Sequence, residues 1–310
     1  MLDIPLKDQY VFTSLRYDCA MKKNPQNPIC CPESKAAYLI KYHHDRLINS
    51  ANHMGWYEVA KKYKDPMALF NRVQSAVVEH KRKSGDKCPF KVRVSINHDL
   101  KMEVTVQPIF QVKPPLLFPT TLDYTRMPTT DAAQLHRIFK VVLDALPTNR
   151  TLFTRDKTHL RTMYNYARQC AQIQSYQDAK EVLLFNSDGE IMDGSITTPY
   201  FFRNGKWTTP QNSCGGQQGT TRRWAMDQGL CCQGIIKADS LRHGEVIWLS
   251  NGVKGFFTAR YIDDQGRCQA PTYRLRPETE RKDSGMAMTG DSDDEEDKVP
   301  PKPRPREHML

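Results

Sequence analysis

The chain lacks any apolar run approaching the ~20 residues that a membrane span needs. It also lacks the charged-then-greasy layout of a signal peptide, because Met1 to Tyr10 mixes Asp3, Lys7 and Asp8 with single apolar residues. A cytoplasmic protein with no membrane partner is therefore expected. Paired-cysteine zinc spacing is missing as well: Cys30-Cys31 and Cys231-Cys232 are vicinal pairs, and the other cysteines are scattered. At 310 residues the chain is too long for a disulfide scaffold, and its nine cysteines cannot all pair. Free thiols and no metal site are expected. Finally, no aromatic-basic interleaving of a nucleic-acid module accompanies the net charge of +10. The densest basic cluster, Lys81-Arg82-Lys83, ends an expected helix, where cations suit the helix dipole. Attraction to phosphorylated or carboxylated small molecules accounts for the charge without nucleic acid.

What is present is a globular balance, 39% hydrophobic and 26% charged residues. Length allows two medium domains. Val11 to Tyr17 reads as a strand and Tyr38 to Lys41 as a short one, followed by a helix from His43 to Met54. Asp65-Pro66 starts a helix that runs to Lys83, with a capping side chain before a first-turn proline. Val92, Val94 and Ile96, then Met102, Val104 and Val106, alternate about a turn at Asn97-His98-Asp99, which reads as a hairpin. Pro108, Pro114, Pro115 and Pro119 punctuate an extended connection.

A boundary is expected near residues 120–130, dividing a small N-terminal α/β domain, 1–125, from a larger one, 130–275. The second part reads as helices over Ala132 to Leu146 and Thr158 to Ile173, and strands over Glu181 to Asn186 and Glu190 to Asp193. A hairpin turns at Asn204-Gly205, a helix spans Thr220 to Asp227, and strands cover Glu245 to Leu249 and Phe256 to Ile262. This mixture is α+β, without a regular βαβ repeat. Residues 276–310 hold six acidic residues among the seven from Asp291 to Asp297, then a proline-basic stretch, and are expected to be disordered.

Three local features carry chemistry. Gly219-Thr220-Thr221-Arg222 opens a helix after Gly215-Gly216, and such a junction presents unpaired N–H groups to an anion. It is also what an ordinary helix cap looks like. Lys157 has Arg155 beside it and Arg161 one turn on, and neighbouring cations lower a lysine pKa and make it nucleophilic. Taken singly, any lysine of this chain reads as solvated. Asp193, after a strand, is placed either structurally or to hold a ring nitrogen protonated.

The order of these pieces is more telling. His44-Asp45-Arg46-Leu47 precedes Lys157, then Asp193-Gly194-Ser195, Thr209-Pro210, Gly219-Thr220-Thr221-Arg222 and Leu249-Ser250-Asn251-Gly252. Phe12 to Asp18 and Phe153 to Arg168 add to the pattern. Together they resemble the fold-type IV (class IV) pyridoxal-phosphate enzymes, and within them the fungal aminodeoxychorismate lyase-like proteins, over roughly residues 10–262. The resemblance implies a two-domain, D-amino-acid aminotransferase-like α+β fold whose larger domain binds the cofactor.

It implies Lys157 as the Schiff-base lysine and proton shuttle. Arg46, Thr220 and Thr221 would hold the cofactor phosphate, Asp193 the pyridine nitrogen, and Asn251 and Gly252 a loop closing over phosphate or substrate carboxylate. Tyr164 falls near the cofactor ring or in plain packing, and Thr13 and Arg16 on the strand lining the substrate side. The implied partners are a small amino substrate and a second copy of the chain. The implied reaction is conversion of 4-amino-4-deoxychorismate to 4-aminobenzoate and pyruvate; a branched-chain or D-amino-acid aminotransferase and a non-catalytic relative are the alternatives. The chain departs from the family in having Asp193 where glutamate is usual, and Thr198 where asparagine is usual, followed by Pro199.

Overall fold

The computed structural model describes residues 9–123 and 139–264. Two sheets organise them. The first is antiparallel, in the order β1 (Tyr10–Tyr17), β2 (Phe90–Asn97), β3 (Met102–Pro108). One face of it is apolar: Val11, Leu15, Val92, Val94 and Ile96 pack beneath α1 (Ile40–His53) and α3 (Pro66–Ser84), with α2 (Tyr57–Lys62) between those helices. The expected start of α3 is present, with the Asp65 side chain accepting from Met67 N–H at 2.9 Å. Gly85, left-handed at φ 72°, ends it, as suits a residue without Cβ. The other face of this sheet alternates to Phe12, Ser14, Arg16, Lys91 and Arg93, which line a cavity.

After the single-turn α4 (Pro114–Leu117), the second sheet begins with β4 (Phe139–Leu143). Short helices α5 (Leu152–Arg155) and α6 (Thr162–Cys170) follow, then β5 (Lys180–Phe185), β6 (Ile191–Gly194), β7 (Thr198–Arg203) and β8 (Lys206–Pro210). Helix α7 (Thr220–Asp227) precedes β9 (Cys232–Gly234), β10 (Val246–Asn251) and β11 (Gly255–Tyr261). The strand order is β6-β5-β4-β11-β10-β7-β8-β9. Pairing is antiparallel except for β11 with β4, β4 with β5 and β8 with β9. The β7–β8 hairpin turns where expected, with Asn204 and Gly205 both at positive φ, which a tight right-twisted hairpin requires.

Three expectations fail. Tyr38 to Lys41 is no strand: the backbone touches β1 only through Tyr38 N–H to Arg16 O and the Tyr17–Ala37 bridge, and α1 already begins at Ile40. The expected helix over Ala132 to Leu146 falls partly outside the described residues, and its remainder is β4. There Val141 and Val142, stiff β-branched side chains, sit in a strand flanked by parallel neighbours β5 and β11. Apolar periodicity could not separate a short buried strand from a helix. The helix expected from Thr158 is shortened to α6 because residues 157–159 pair with β1: Phe12 N–H donates to Lys157 O at 2.9 Å and His159 N–H to Tyr10 O at 3.0 Å. The acidic tail and most of the expected 120–130 boundary lie outside the described residues. All eight described cysteines are free. No described helix is long and apolar enough to cross a membrane, and no cluster of three metal-ligating side chains occurs among the described residues.

Candidate functional site

The two sheets enclose a cavity of about 1450 Å³. Its floor gathers Lys157, Arg46, Asp193, Thr220, Thr221, Asn251 and Gly252, which are far apart in sequence. Lys157 rides on the segment stitched to β1, with its Nζ 4.7 Å from the centre of the Phe12 ring. Burial, then the positive charges of Arg161, Arg46 and Arg93, push its amine well below the ordinary lysine range, and Asp193 only partly opposes them. Such a shift favours the uncharged amine, the form that is a nucleophile and a proton acceptor.

Arg46 comes from α1. Its NH2 donates to Thr13 Oγ1, while its Nε is buried without a partner. Burial and Arg223 lower its pKa to about 9 despite Asp193. Opposite it, α7 begins at Gly219 with no side-chain cap, so first-turn N–H groups and the positive end of the helix face the cavity. Thr221 Oγ1 lies 2.7 Å from Ser250 Oγ, which lies 2.8 Å from the Tyr200 hydroxyl. An orphaned guanidinium nitrogen, two threonine hydroxyls and free helix N–H groups form a cradle for a phosphate.

His43 ties this cradle together. It is fully buried, and burial with Arg46, Lys157 and Arg223 around it keeps the ring neutral. Its Nδ1 lies 2.6 Å from Thr13 Oγ1 and 3.3 Å from Arg46 NH2, an obligate donor, so Nδ1 accepts. The proton therefore sits on Nε2, which faces Thr220 Oγ1 at 3.4 Å. Thr220 accepts from His43 and keeps its own hydroxyl proton for the cavity. Gly252 closes over the imidazole: a Cβ there would stand 2.6 Å from His43 Cε1 and 3.0 Å from Ser14 O. His43 was not singled out in the sequence, yet it precedes Arg46 by three residues, and on a helix that spacing puts both on one face.

Asp193, the penultimate residue of β6, lies at the other side of the floor. Burial and the carboxylate of Glu181 push its pKa well up, against the Gly194 N–H, Arg222 and Lys157. Glu181 is a second residue that sequence reasoning missed. It accepts from Ser195 Oγ at 2.5 Å, Thr197 Oγ1 at 2.8 Å and the N–H groups of Val182 and Ser195 at 2.9 and 3.1 Å. It thereby folds the turn after Asp193 into a fixed shape, which Arg161 reinforces from NH2 to Ser195 O at 2.8 Å. Arg222 reaches Pro210 O at 2.8 Å and leaves NH1 buried and unpaired near Asp193.

Of the remaining candidates, Asn251 donates to Ile196 O at 3.3 Å and accepts from the N–H groups of Val253 and Lys254, shaping the β10–β11 turn. Arg16 lines the cavity but is buried in an ion pair with Asp18 at 2.8 Å. Thr13 does not share its face. Three residues apart on a strand point to opposite sides, and Thr13 faces α1, supporting Arg46 and His43. Tyr164 packs behind the site with Val142, Val182 and Leu184, its hydroxyl donating to Thr154 O at 2.8 Å. Arg155, read from sequence as a neighbour of Lys157, turns to Asp156 instead; Arg161 lines the cavity. Thr198 lines the cavity and abuts Gly219, where a Cβ would meet Thr198 Oγ1 at 2.7 Å, and Pro199 O accepts from Thr209 Oγ1.

A curled mixed sheet facing a small antiparallel one, with a lysine, a phosphate cradle and a buried carboxylate between them, defines the α+β architecture of fold-type IV. The sequence pattern of the family described as amino-transferase class IV matches residues 33–262, and the chain belongs to that family. A Schizosaccharomyces pombe protein provisionally named aminodeoxychorismate lyase is 30% identical over 121 residues, 37% of this chain and 52% of that protein. The Saccharomyces cerevisiae aminodeoxychorismate lyase is 34% identical over 130 residues, 37% of this chain and 35% of that protein. The chain thus matches about half of one curated relative and about a third of the other. A solved Mesorhizobium loti protein, provisionally named an amino-acid aminotransferase, superposes with a TM-score of 0.59 at 20% identity, over 82% of this chain and all of that one.

Family members depend on pyridoxal phosphate, and the cavity fits that group. The unpaired Arg46 Nε, the His43-oriented Thr220 hydroxyl and the open α7 start suit its phosphate. The Lys157 amine, pushed toward its uncharged form by burial, suits its aldehyde, and buried Asp193 its ring nitrogen.

Two consequences follow for variants. His43→Ala removes the donor that orients Thr220, and binding of pyridoxal phosphate is expected to weaken about tenfold, the worth of one hydrogen bond. Titration by cofactor absorbance checks it, and unchanged affinity in a folded variant rejects the role. Lys157→Met should raise the melting temperature of the cofactor-free protein at neutral pH. The folded-state amine binds its proton more weakly than the unfolded one, so the wild type gains stability as pH rises from the folded pKa toward the ordinary lysine value. The advantage of the variant should therefore shrink toward pH ~10, and a pH-independent difference would contradict it.

Proposed function

We propose that the chain is a pyridoxal-phosphate-dependent lyase converting 4-amino-4-deoxychorismate to 4-aminobenzoate and pyruvate, a step of folate precursor synthesis. The observation that carries this reading is the charge of the cavity wall. Beyond Arg46 at the cradle, Lys157 and the ion-paired Arg16, the wall carries Lys91, Arg93, Lys140, Arg161, Lys180 and Lys254 against Asp86, Asp178 and Asp193. Even with the cofactor phosphate accounted for, such a wall suits a substrate bearing two carboxylates better than the apolar side chain of a branched-chain amino acid. The names of the two yeast relatives support the same substrate.

Within this reading, Arg46, Thr220, Thr221 and the α7 N–H groups would hold the phosphate, and Asp193 would pair with the ring nitrogen. When bound, the cofactor supplies an electron sink for bonds at the carbon bearing the substrate amine. Lys157 would be the attachment point for the cofactor, and its Nζ would be the base for the proton on that carbon. Lys91 and Arg93, on the β2 face above Phe12, hold substrate carboxylate. The turn 194–197, braced by Glu181, and the turn carrying Asn251 keep the reacting carbon over Lys157 and limit water. Aminotransfer is the second reading, because it needs the same lysine and cradle and the Mesorhizobium loti relative is named for it. A cytoplasmic homodimer is the expected setting.

The test is a spectrum followed by an assay. The purified protein should show a visible band, removed by borohydride, and should release pyruvate and 4-aminobenzoate in equal amounts. A band with keto-acid-dependent amino transfer and no pyruvate makes it an aminotransferase. A colourless protein that pyridoxal phosphate cannot reconstitute makes it a non-catalytic relative.

A further inference from the structure

Outside the cavity, one pair of side chains carries chemistry that the proposed function does not use. The β1–β2 ladder ends with Tyr17 opposite Phe90. Cys19 opens the 3₁₀ turn that follows β1 and Cys88 lies two residues before β2, so the two meet just beyond the end of the ladder. The two Sγ atoms lie 2.7 Å apart although the residues are 69 apart in sequence. Lys81, in the last turn of α3, brings its Nζ to 3.8 Å from Cys19 Sγ. Cys19 is exposed and Cys88 half-buried, so solvent reagents reach the pair.

We infer that Cys19 and Cys88 form a reversible disulfide site, oxidised by small disulfides such as oxidised glutathione. The Lys81 ammonium beside the pair favours a thiolate there, and either sulfur can attack while the other resolves. The attacking Sγ bonds to one glutathione sulfur, and the other glutathione leaves as its thiolate. The second cysteine, its proton lost to solvent, then bonds to that Sγ and expels the remaining glutathione. Two protein thiols are oxidised, and one glutathione disulfide is reduced to two thiols.

The site lies beside the cavity rim. Arg16 is three residues before Cys19, Asp86 two before Cys88, and Gln111 Nε2 donates to Cys88 O at 3.2 Å; all three line the cavity. The bond would weld the ends of β1 and β2 at that rim and close a long loop, which constrains the unfolded chain. None of this depends on the cofactor reading.

The test treats the full chain with oxidised glutathione, blocks remaining thiols with N-ethylmaleimide, and maps peptides by mass spectrometry. The expected product is a Cys19–Cys88 cross-linked peptide, with a melting temperature several degrees higher, both reversed by dithiothreitol. Cys19→Ser and Cys88→Ser should each form no cross-link and stop at a stable glutathione adduct on the remaining cysteine. Wild-type protein in which both residues are alkylated, or in which both carry separate glutathione adducts without a cross-link, overturns the inference.

Discussion

Lys157→Ala should remove the visible band and lower turnover by on the order of 10⁴-fold, the upper range for a positioned acid–base group. Two roles are lost together, covalent attachment of the cofactor and proton transfer at the substrate carbon. No neighbour replaces them: Arg46, Arg93 and Arg161 offer delocalised guanidiniums in place of a primary amine, and His43 is sealed beneath Gly252 with both ring nitrogens engaged. The variant should nevertheless fold, because it deletes a buried amine that prefers to be uncharged, not a satisfied cation. Intact mass after borohydride treatment gives the first readout, a missing cofactor adduct. A variant that keeps the adduct assigns the attachment to another lysine.

Asp193→Ala should cost about 10²–10³-fold in turnover while leaving phosphate-dependent cofactor binding largely intact. Glu181 and burial make an isolated Asp193 carboxylate costly, so a cationic N–H opposite it is held strongly, like other charge-assisted buried bonds. Without that partner a bound ring nitrogen would hold its proton less well and would be a weaker electron sink. Asp193→Asn is the matched control: it keeps the volume but not the charge, and should behave like alanine. Asp193→Glu restores the side chain usual in the family. It adds a methylene where Gly216 already packs so closely that a Cβ on it would stand 3.1 Å from Asp193 Cβ. It should therefore lose activity, although less than Asp193→Ala. A glutamate variant faster than wild type would show that the short carboxylate is a defect of this chain. Equal activity in Asp193→Asn would sink the proposed pairing.

The legible parts of this fold were those in which local chemistry and tertiary structure agree. The Asp65 cap, the β2–β3 alternation, the Asn204-Gly205 turn and the glycine before α7 each settle their own conformation. Illegible parts were those decided by distant partners. Residues 139–143 became a strand because β5 and β11 offered them backbone partners, and residues 157–159 left a helical pattern because β1 paired with them. Glu181 was hidden for the same reason, since all its donors but the adjacent Val182 N–H lie more than ten residues away, mainly at Ser195 and Thr197.

Lys157 shows where the line falls. Sequence alone determined its residue type, its basic neighbours and its order relative to Arg46, Asp193 and the Gly-Thr-Thr-Arg start of α7, and that order carried the resemblance. Tertiary structure decided which neighbours count. It turned Arg155 away to Asp156, kept Arg161 at the cavity and set Thr13 behind Arg46. It also placed His43 under the phosphate cradle and Glu181 behind Asp193. The physical reason is range. Caps, turns and alternation act over a few residues, whereas desolvation and Coulomb coupling act through space between groups that only the folded chain brings together.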